Sequence, residues 1–111
     1  MQWVFGSTEG QSCDEVCESQ GTAMTCYGAA AFEEVTLLAY FEDNVNNGQA
    51  GCSGGTYYSS NSDAPYQWGS NCVYGDDGNC GSSYSSYTRF CPCACPAGQY
   101  SSTGSTAACQ S

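Results

Sequence analysis

The cysteines constrain the fold of this chain more than any other feature. Ten of the 111 residues are cysteine, whereas Leu, Ile, Val and Phe together number only eleven. That apolar content is well below the roughly 20% expected of a conventional hydrophobic core. A small chain with so weak a core folds stably when cross-links replace it. The composition therefore predicts a disulfide-stapled domain from an oxidising compartment, outside the cell or on its surface.

We expect all the cysteines to be disulfide-bonded. A metal–thiolate role is disfavoured because the chain has no histidine and no C-x2-C knuckle. Ten cysteines allow roughly 945 full pairings, so the connectivity stays open. Cys72 and Cys80 flank an acidic turn and are one candidate pair. The predicted disulfide cysteines are Cys13, Cys17, Cys26, Cys52, Cys72, Cys80, Cys91, Cys93, Cys95 and Cys109.

The charge balance excludes several classes of function. Arg89 is the one basic side chain against eleven acidic residues, and the formal net charge is -10. Such a chain lacks the basic footprint that nucleic acids and anionic lipids require, and no apolar run is long enough to enter a bilayer. Without His or Lys, the usual proton shuttles and amine nucleophiles are missing, which predicts a protein that is not an enzyme. A glycosidase that uses two carboxylates is the remaining catalytic alternative.

Two helices are predicted in the first half of the chain. Ser12 and Glu15 form a capping box at the start of the first helix, which should span about 13–20 and end at Gly21. Cys13 and Cys17 lie four residues apart and therefore on one side of that helix. Apolar residues at a spacing of three and four predict a second helix over about 29–41.

The second half has a different texture. From residue 51 onward Gly, Ser, Asn and Tyr dominate, and no helical period survives. The segments 56–58, 72–74 and 87–90 are short strand candidates. The predicted fold class is a small disulfide-rich α+β domain, in which two short helices pack on an irregular, strand-poor half rich in Ser, Gly and Tyr.

Aromatic residues supply the candidate contact surface. Tyrosine rings suit sugar stacking and protein interfaces alike. Most of the aromatic residues, including Trp3 and Trp68, are instead expected to fill the core in place of the missing aliphatic residues. The candidates for interface or glycan contact are Tyr57, Tyr58, Tyr66, Tyr84 and Tyr87.

The acidic residues offer one candidate metal site. Asp76, Asp77 and Asn79 place oxygen ligands on a tight turn, which suits calcium but lacks the spacing of an EF-hand loop. An Asx-rich turn without an ion explains the same residues. Beyond calcium, no cofactor is expected. Arg89 is expected to pair with Asp63 or Glu34, or to stack on a tyrosine.

Two resemblances concern the origin of the chain. The segment CPAGQYS at 95–101 resembles the start of ephrin-receptor-like (EGF-like) cysteine repeats, which implies a disulfide-rich domain over 1–93 and a partial repeat over 94–111. The segments WVFG (3–6), QSCDEVC (11–17), DAPY (63–66) and RFCPC (89–93) resemble cysteine-rich surface modules of algae and other protists. That resemblance implies a secreted protein of several modules, and we expect the chain to be a piece of it.

The predicted function is that of a structural module in an extracellular filament, matrix or cell-surface coat. We expect it to associate head to tail with copies of itself or with neighbouring modules of the same protein. Its acidic surface, rich in Ser and Thr, would keep a polymer hydrated and accept O-glycosylation. The alternative is a glycan-binding or calcium-dependent adhesion module.

Overall fold

Helix α1 (Cys13–Gln20) and the long strand β6 (Thr88–Ala94) lie side by side at the centre of the molecule. The computed structural model describes residues 1–20 and 24–95. The predicted capping box is present: the Glu15 N–H donates to Ser12 Oγ at 3.2 Å, and the Ser12 N–H donates to Glu15 Oε1 at 3.0 Å. The first helix is thus confirmed, while its expected cap at Gly21 lies outside the described residues.

Two disulfides join α1 to β6, Cys13–Cys91 and Cys17–Cys93. One helical turn of four residues advances about 6 Å, and two residues of a strand advance about 6.8 Å. The two sulfur pairs therefore match with little distortion of either element. Because both bridges close nearly the same loop of the chain, the second mainly fixes the angle between helix and strand.

Two further disulfides tie the loops to this centre, Cys26–Cys80 and Cys52–Cys72. The candidate pair Cys72–Cys80 is therefore wrong. Cys95 is disulfide-bonded as well, and the structure contains no free cysteine among the described residues. The bridge from Cys26 closes a long loop, so it removes much of the freedom of the unfolded chain.

Six strands form one mixed sheet in the described part of the chain, so the expectation of a strand-poor half is wrong. Three of them were candidates from the sequence: β3 (Gly55–Tyr58), β5 (Asn71–Tyr74) and β6. The strands β1 (Gln2–Phe5), β2 (Thr25–Cys26) and β4 (Tyr66–Trp68) complete the sheet. The order is β1-β6-β4-β5-β3, with β2 pairing beside β6, and only the β3–β5 pair is parallel.

The second predicted helix is interrupted, which corrects the expectation of one helix over 29–41. The structure has α2 (Ala29–Phe32), then α3 (Leu38–Tyr40), which runs into a π-helical stretch, here called the π segment (Phe41–Asn46). Val35 is buried and its N–H bonds to the Phe32 carbonyl at 3.1 Å, a tight turn rather than a helical turn. Leu37 then takes an extended backbone before α3 begins. Burying Val35 through this turn breaks the helical period.

Aromatic rings fill much of the core. Phe5, Phe90, Phe41 and Tyr74 form a continuous row, with ring centroids 4.7, 5.2 and 6.1 Å apart. Trp3 is buried, as expected, and meets Phe32 edge-on. These rings supply the contact area that the missing aliphatic residues would otherwise provide.

Within the described residues, no helix has the length and apolar character needed to cross a bilayer. The proposed boundary at residue 93 falls within β6. Most of the predicted C-terminal repeat, residues 96–111, lies outside the described residues, so the division into two units stays a prediction.

Candidate functional site

One side of the sheet carries an aromatic surface. In the strand register, Val73 is paired with Tyr66 on one side and with Tyr57 on the other, while Trp68 is paired with Asn71. Paired residues project to the same side of a sheet, and positions two apart along a strand share that side. Tyr57, Tyr66 and Trp68 therefore lie on one side.

The opposite side of these strands faces the core. Cys72 and Tyr74 alternate with Val73, and Tyr74 stacks on Phe41 of the π segment at 6.1 Å. The layer formed by α3 and the π segment, here called the helical layer, thus covers the Tyr74 side. Ala64, Tyr66 and Val73 form a separate small buried cluster. Among the described residues, Tyr87 is the one partly buried apolar side chain that packs against this cluster.

Stacked tyrosines extend this surface. Tyr87 lies flat on Tyr66, with centroids 3.8 Å apart and an interplanar angle of 11°, and Tyr84 tilts against Tyr87 at 4.7 Å. Tyr66 is buried beneath them, whereas Tyr57, Trp68 and Tyr84 are 54–55% exposed. The name "aromatic face" is used below for the surface formed by Tyr57, Tyr66, Trp68, Tyr84 and Tyr87.

The aromatic face is uncharged at neutral pH. Burial raises the pKa of the Tyr66 phenol, and its hydrogen bond with Tyr87 raises it further, followed by the nearby carboxylate of Asp63. Asp63 itself is buried. The exposed rings come from tyrosine and tryptophan, so a partner that docks here meets hydroxyls, an indole and apolar ring faces.

The structure brings together four of the five predicted contact residues. Tyr58 is the exception, because it lies on the other side of β3, packs edge-on against Tyr74 and donates to Asp76 Oδ1 at 3.3 Å. Trp68 was expected in the core and is exposed instead, which corrects that expectation. Gly69, with φ +60°, turns the chain directly after it, and this hairpin signal could have placed Trp68 at an exposed strand end.

A second exposed apolar patch lies on the helical layer. Leu37 and Leu38, the only two leucines of the chain, are 66% and 40% exposed at the start of α3. Since Phe41 of the same continuous helix packs on Tyr74, this "leucine patch" and the aromatic face belong to opposite layers of the molecule.

The candidate calcium ligands lie close in sequence but are partly engaged. Asn79 Oδ1 accepts hydrogen bonds from the N–H groups of Gly81 and Ser82, at 3.1 and 2.8 Å. Asp76 accepts from Tyr58, and Asp77 is exposed. This is the geometry of an Asx-rich turn. The calcium site stays a prediction.

A different cluster of metal-type atoms comprises Asp14, Cys26 and Cys80. Cys26 and Cys80 form a disulfide, so neither offers the thiolate that a metal would need.

Arg89 is paired with Tyr66 in the strand register and lies beside the aromatic face. It is 1% exposed, donates from Nε to the Asp63 carbonyl at 2.9 Å and from Nη1 to the Ser82 carbonyl at 2.7 Å, and lies 5.5 Å from the centroid of Phe32. Asp63 is thus a partner, as expected, but through its backbone, and the ring is Phe32 rather than a tyrosine. Burial lowers the pKa of Arg89 to about 10, against the opposing effects of Asp63 and Asp14.

The chain matches no protein-family model, and a search of curated proteins finds no similar sequence. The suspected relationship to algal surface modules and ephrin-receptor-like repeats therefore stays a prediction. What supports a function is the placement of the two exposed apolar patches.

Proposed function

We propose that this chain is a structural module of an extracellular filament, matrix or cell-surface coat, whose copies associate head to tail. The aromatic face of one copy would pack against the leucine patch of the next. The observation that carries the proposal is that the two patches lie on opposite layers of one small domain. A contact between unlike patches on opposite sides adds copies in a line instead of closing a dimer.

The size of the aromatic face sets the strength of one contact. A large aromatic side chain buries about 150–250 Å², so a half-exposed ring offers roughly 100 Å². Three such rings, Tyr57, Trp68 and Tyr84, supply about 300 Å² per copy, less than half of the roughly 800 Å² per partner of a stable interface. A single contact is therefore weak. Repetition along a polymer, or linkage of modules in one chain, raises the effective concentration and makes it useful.

Charge argues for a second copy as the occupant. Each copy has a formal net charge of -10. A basic partner would therefore bind the acidic parts of the surface in preference to the aromatic face, which has no acidic side chain. Two copies repel at long range, and although the aromatic face carries no acidic side chain, the exposed carboxylates of Glu34 and Glu42 flank the leucine patch. Screening by salt should therefore strengthen the association, whereas it would weaken binding of a basic partner.

Sedimentation velocity of the oxidised protein over a range of concentrations tests this proposal at low and high NaCl. Wild-type protein is expected to form a concentration-dependent series of oligomers that grows with salt. A face variant, Trp68→Ser with Tyr84→Ser, and a leucine variant, Leu37→Ser with Leu38→Ser, should each remain monomeric. Tyr27→Ser is the matched control, because Tyr27 is an equally exposed tyrosine (57%) outside the aromatic face.

Mixing the two variants separates head-to-tail association from a symmetric dimer. The leucine variant keeps an intact aromatic face, and the face variant keeps an intact leucine patch, so an equimolar mixture should stop at heterodimers. If the leucine variant still dimerises alone, the contact is symmetric and the head-to-tail arrangement is refuted. If the wild type stays monomeric in high salt at every concentration, self-association itself is refuted.

A further inference from the structure

We propose that a cleft beside β1 binds a neutral saccharide. The cleft has a volume of about 500 Å³ and lies between β1 and the segment from Tyr40 to Gln49, which comprises the π segment and the turn after it. It is separate from the aromatic face and does not depend on the function proposed above. Its lining residues are Met1, Gln2, Trp3, Tyr40, Asn44, Asn47 and Gln49.

The lining side chains are rich in neutral hydrogen-bonding groups. Four of them end in carboxamides, which donate and accept at the same time, and none of the lining side chains is acidic or basic. Sugar hydroxyls also donate and accept, so vicinal hydroxyls pair well with amides. The chain has eleven acidic residues, yet the side chains that line this cleft end in amides, an indole, a thioether and a phenol. Such a lining favours a neutral ligand with hydroxyl groups.

Two of the lining groups are held in place by the fold. Gln49 accepts from the Phe5 N–H at 2.9 Å and donates to the carbonyls of Trp3 and Val45 at 3.0 and 2.9 Å, so its amide mimics a neighbouring strand along β1. Tyr40 donates its hydroxyl to Glu34 Oε2 at 2.9 Å, which leaves its oxygen as an acceptor. The wall beside β1 is therefore pre-organised for a ligand.

Other groups at the cleft are open to a ligand. Asn44 and Asn47 are exposed, and across the described residues neither side chain makes a hydrogen bond. Asn47 ends the π segment with φ 42°, a left-handed conformation that asparagine tolerates well. These two amides form the outer wall on which a ligand can be bound.

Two buried polar atoms of the lining residues, Trp3 Nε1 and Gln2 Oε1, have no hydrogen-bond partner within residues 1–20 and 24–95. Trp3 is 6% exposed, and its N–H reaches no acceptor with hydrogen-bond geometry among the described residues. One atom is a donor and the other an acceptor, and a buried group of either kind is costly when unpaired. A sugar hydroxyl that enters the cleft can accept a hydrogen bond from the Trp3 N–H.

Charge around the cleft narrows the class of saccharide. Glu34 contacts Tyr40, and Glu42 and Asp43 lie in the π segment beside Asn44. These carboxylates disfavour uronic acids and other anionic sugars. The volume falls in the lower half of the roughly 300–1,000 Å³ typical of small-ligand sites, which suits a mono- or disaccharide.

The chain has two tryptophans, and this makes a clean assay available. In a Trp68→Phe variant, Trp3 is the sole indole, so its emission reports on the cleft alone. We expect a saturable change when this protein is titrated with at least one of glucose, galactose, mannose, N-acetylglucosamine or their β-1,4-linked dimers, and a much smaller response to glucuronic acid. Trp68 belongs to the aromatic face and does not line the cleft. The titration therefore measures sugar binding by the cleft, whereas sedimentation of the wild type measures assembly, and either proposal can fail without the other.

Amide-deletion variants locate the binding. Asn44→Ala, and Asn47→Gly, which keeps the left-handed backbone, should each weaken the response at least about fivefold. Gln20→Ala removes an amide outside the cleft and should leave binding unchanged. The proposal is overturned if no neutral sugar gives a saturable change up to 0.1 M (roughly the weakest useful affinity). It is equally overturned if the Asn44 and Asn47 variants bind as tightly as the Gln20 control.

Discussion

Replacing Arg89 by methionine tests how much of the fold rests on its single cation. Methionine has a similar length but can make neither the hydrogen bond to the Asp63 carbonyl nor that to the Ser82 carbonyl. It also removes the guanidinium from its place near Phe32. The Asp63 side chain, whose Oδ1 is already buried and without a hydrogen-bond partner among the described residues, would lose the neighbouring positive charge.

The expected cost follows from these contacts. Hydrogen bonds that involve a charged group contribute about 1.5–3 kcal/mol each. A partly desolvated cation over an aromatic ring adds about 1–2 kcal/mol. The cost of burying the guanidinium, visible in its lowered pKa, offsets part of that sum. Two such hydrogen bonds and the ring contact, less the cost of burying the guanidinium, lead us to expect a cost of about 3–5 kcal/mol for Arg89→Met.

Thermal unfolding followed by circular dichroism, with the disulfides intact, measures the effect. At about 4 °C per kcal/mol for a domain of this size, the midpoint should fall by about 12–20 °C. Arg89→Lys keeps the positive charge but cannot donate from two nitrogens as the guanidinium does, so its unfolding midpoint should lie between those of the wild type and Arg89→Met. Adding Asp63→Asn to Arg89→Met should recover part of the loss, because it removes the uncompensated carboxylate. If Arg89→Met is as stable as the wild type, then burial of the cation costs as much as its contacts contribute, and the assigned role of Arg89 is wrong.

Two further outcomes are expected. In a spectrophotometric titration at 295 nm, the Tyr66 phenol should ionise with a pKa well above the ordinary value near 10, and Tyr66→Phe should remove that late step. Above pH 10 the folded protein keeps a proton on Tyr66 that the unfolded chain releases. This group therefore lowers the free energy of unfolding as the pH rises past 10. In Gln49→Ala, the Phe5 N–H loses its acceptor at the edge of β1 and should lose its protection in hydrogen exchange. Gln67→Ala, which removes an amide bonded to the Gly51 carbonyl, is the control and should leave Phe5 protected. Equal exchange of Phe5 in the wild type and in Gln49→Ala would show that the Gln49 amide does not close that edge.

The first helix could be predicted from the sequence because its signals are local. Ser12 and Glu15 satisfy each other's backbone N–H groups within four residues, and that pairing needs no knowledge of the rest of the chain. The second helix failed for the opposite reason. Val35 is buried through a tight turn in place of a helical turn, and Leu38, at a position where the apolar spacing predicts burial, is 40% exposed.

The disulfide pairing and the aromatic face could not be read from the sequence, since both depend on strand order. Cys72 is bridged to Cys52 because β5 lies beside β3, and no local pattern specifies that neighbour. The tyrosines of the face were recognised as a group, but their side of the sheet is set by register. A shift of one residue along β4 would have turned Trp68 inward and exposed Gln67 on that face.

The distribution of acidic side chains connects the two proposed sites. Acidic residues occupy the exposed side of α1, the turn after α2 and the π segment, yet none belongs to the aromatic face or lines the cleft. A molecule with a charge of -10 repels its copies in most orientations, and this repulsion is weakest where the contact surface is uncharged. The carboxylates therefore act against unspecific association more than they support any one contact. The same negative charge repels anionic ligands from the cleft and has no such effect on neutral ones. The excess of acidic residues thus bears both on the assembly of the module and on the class of sugar that it would bind.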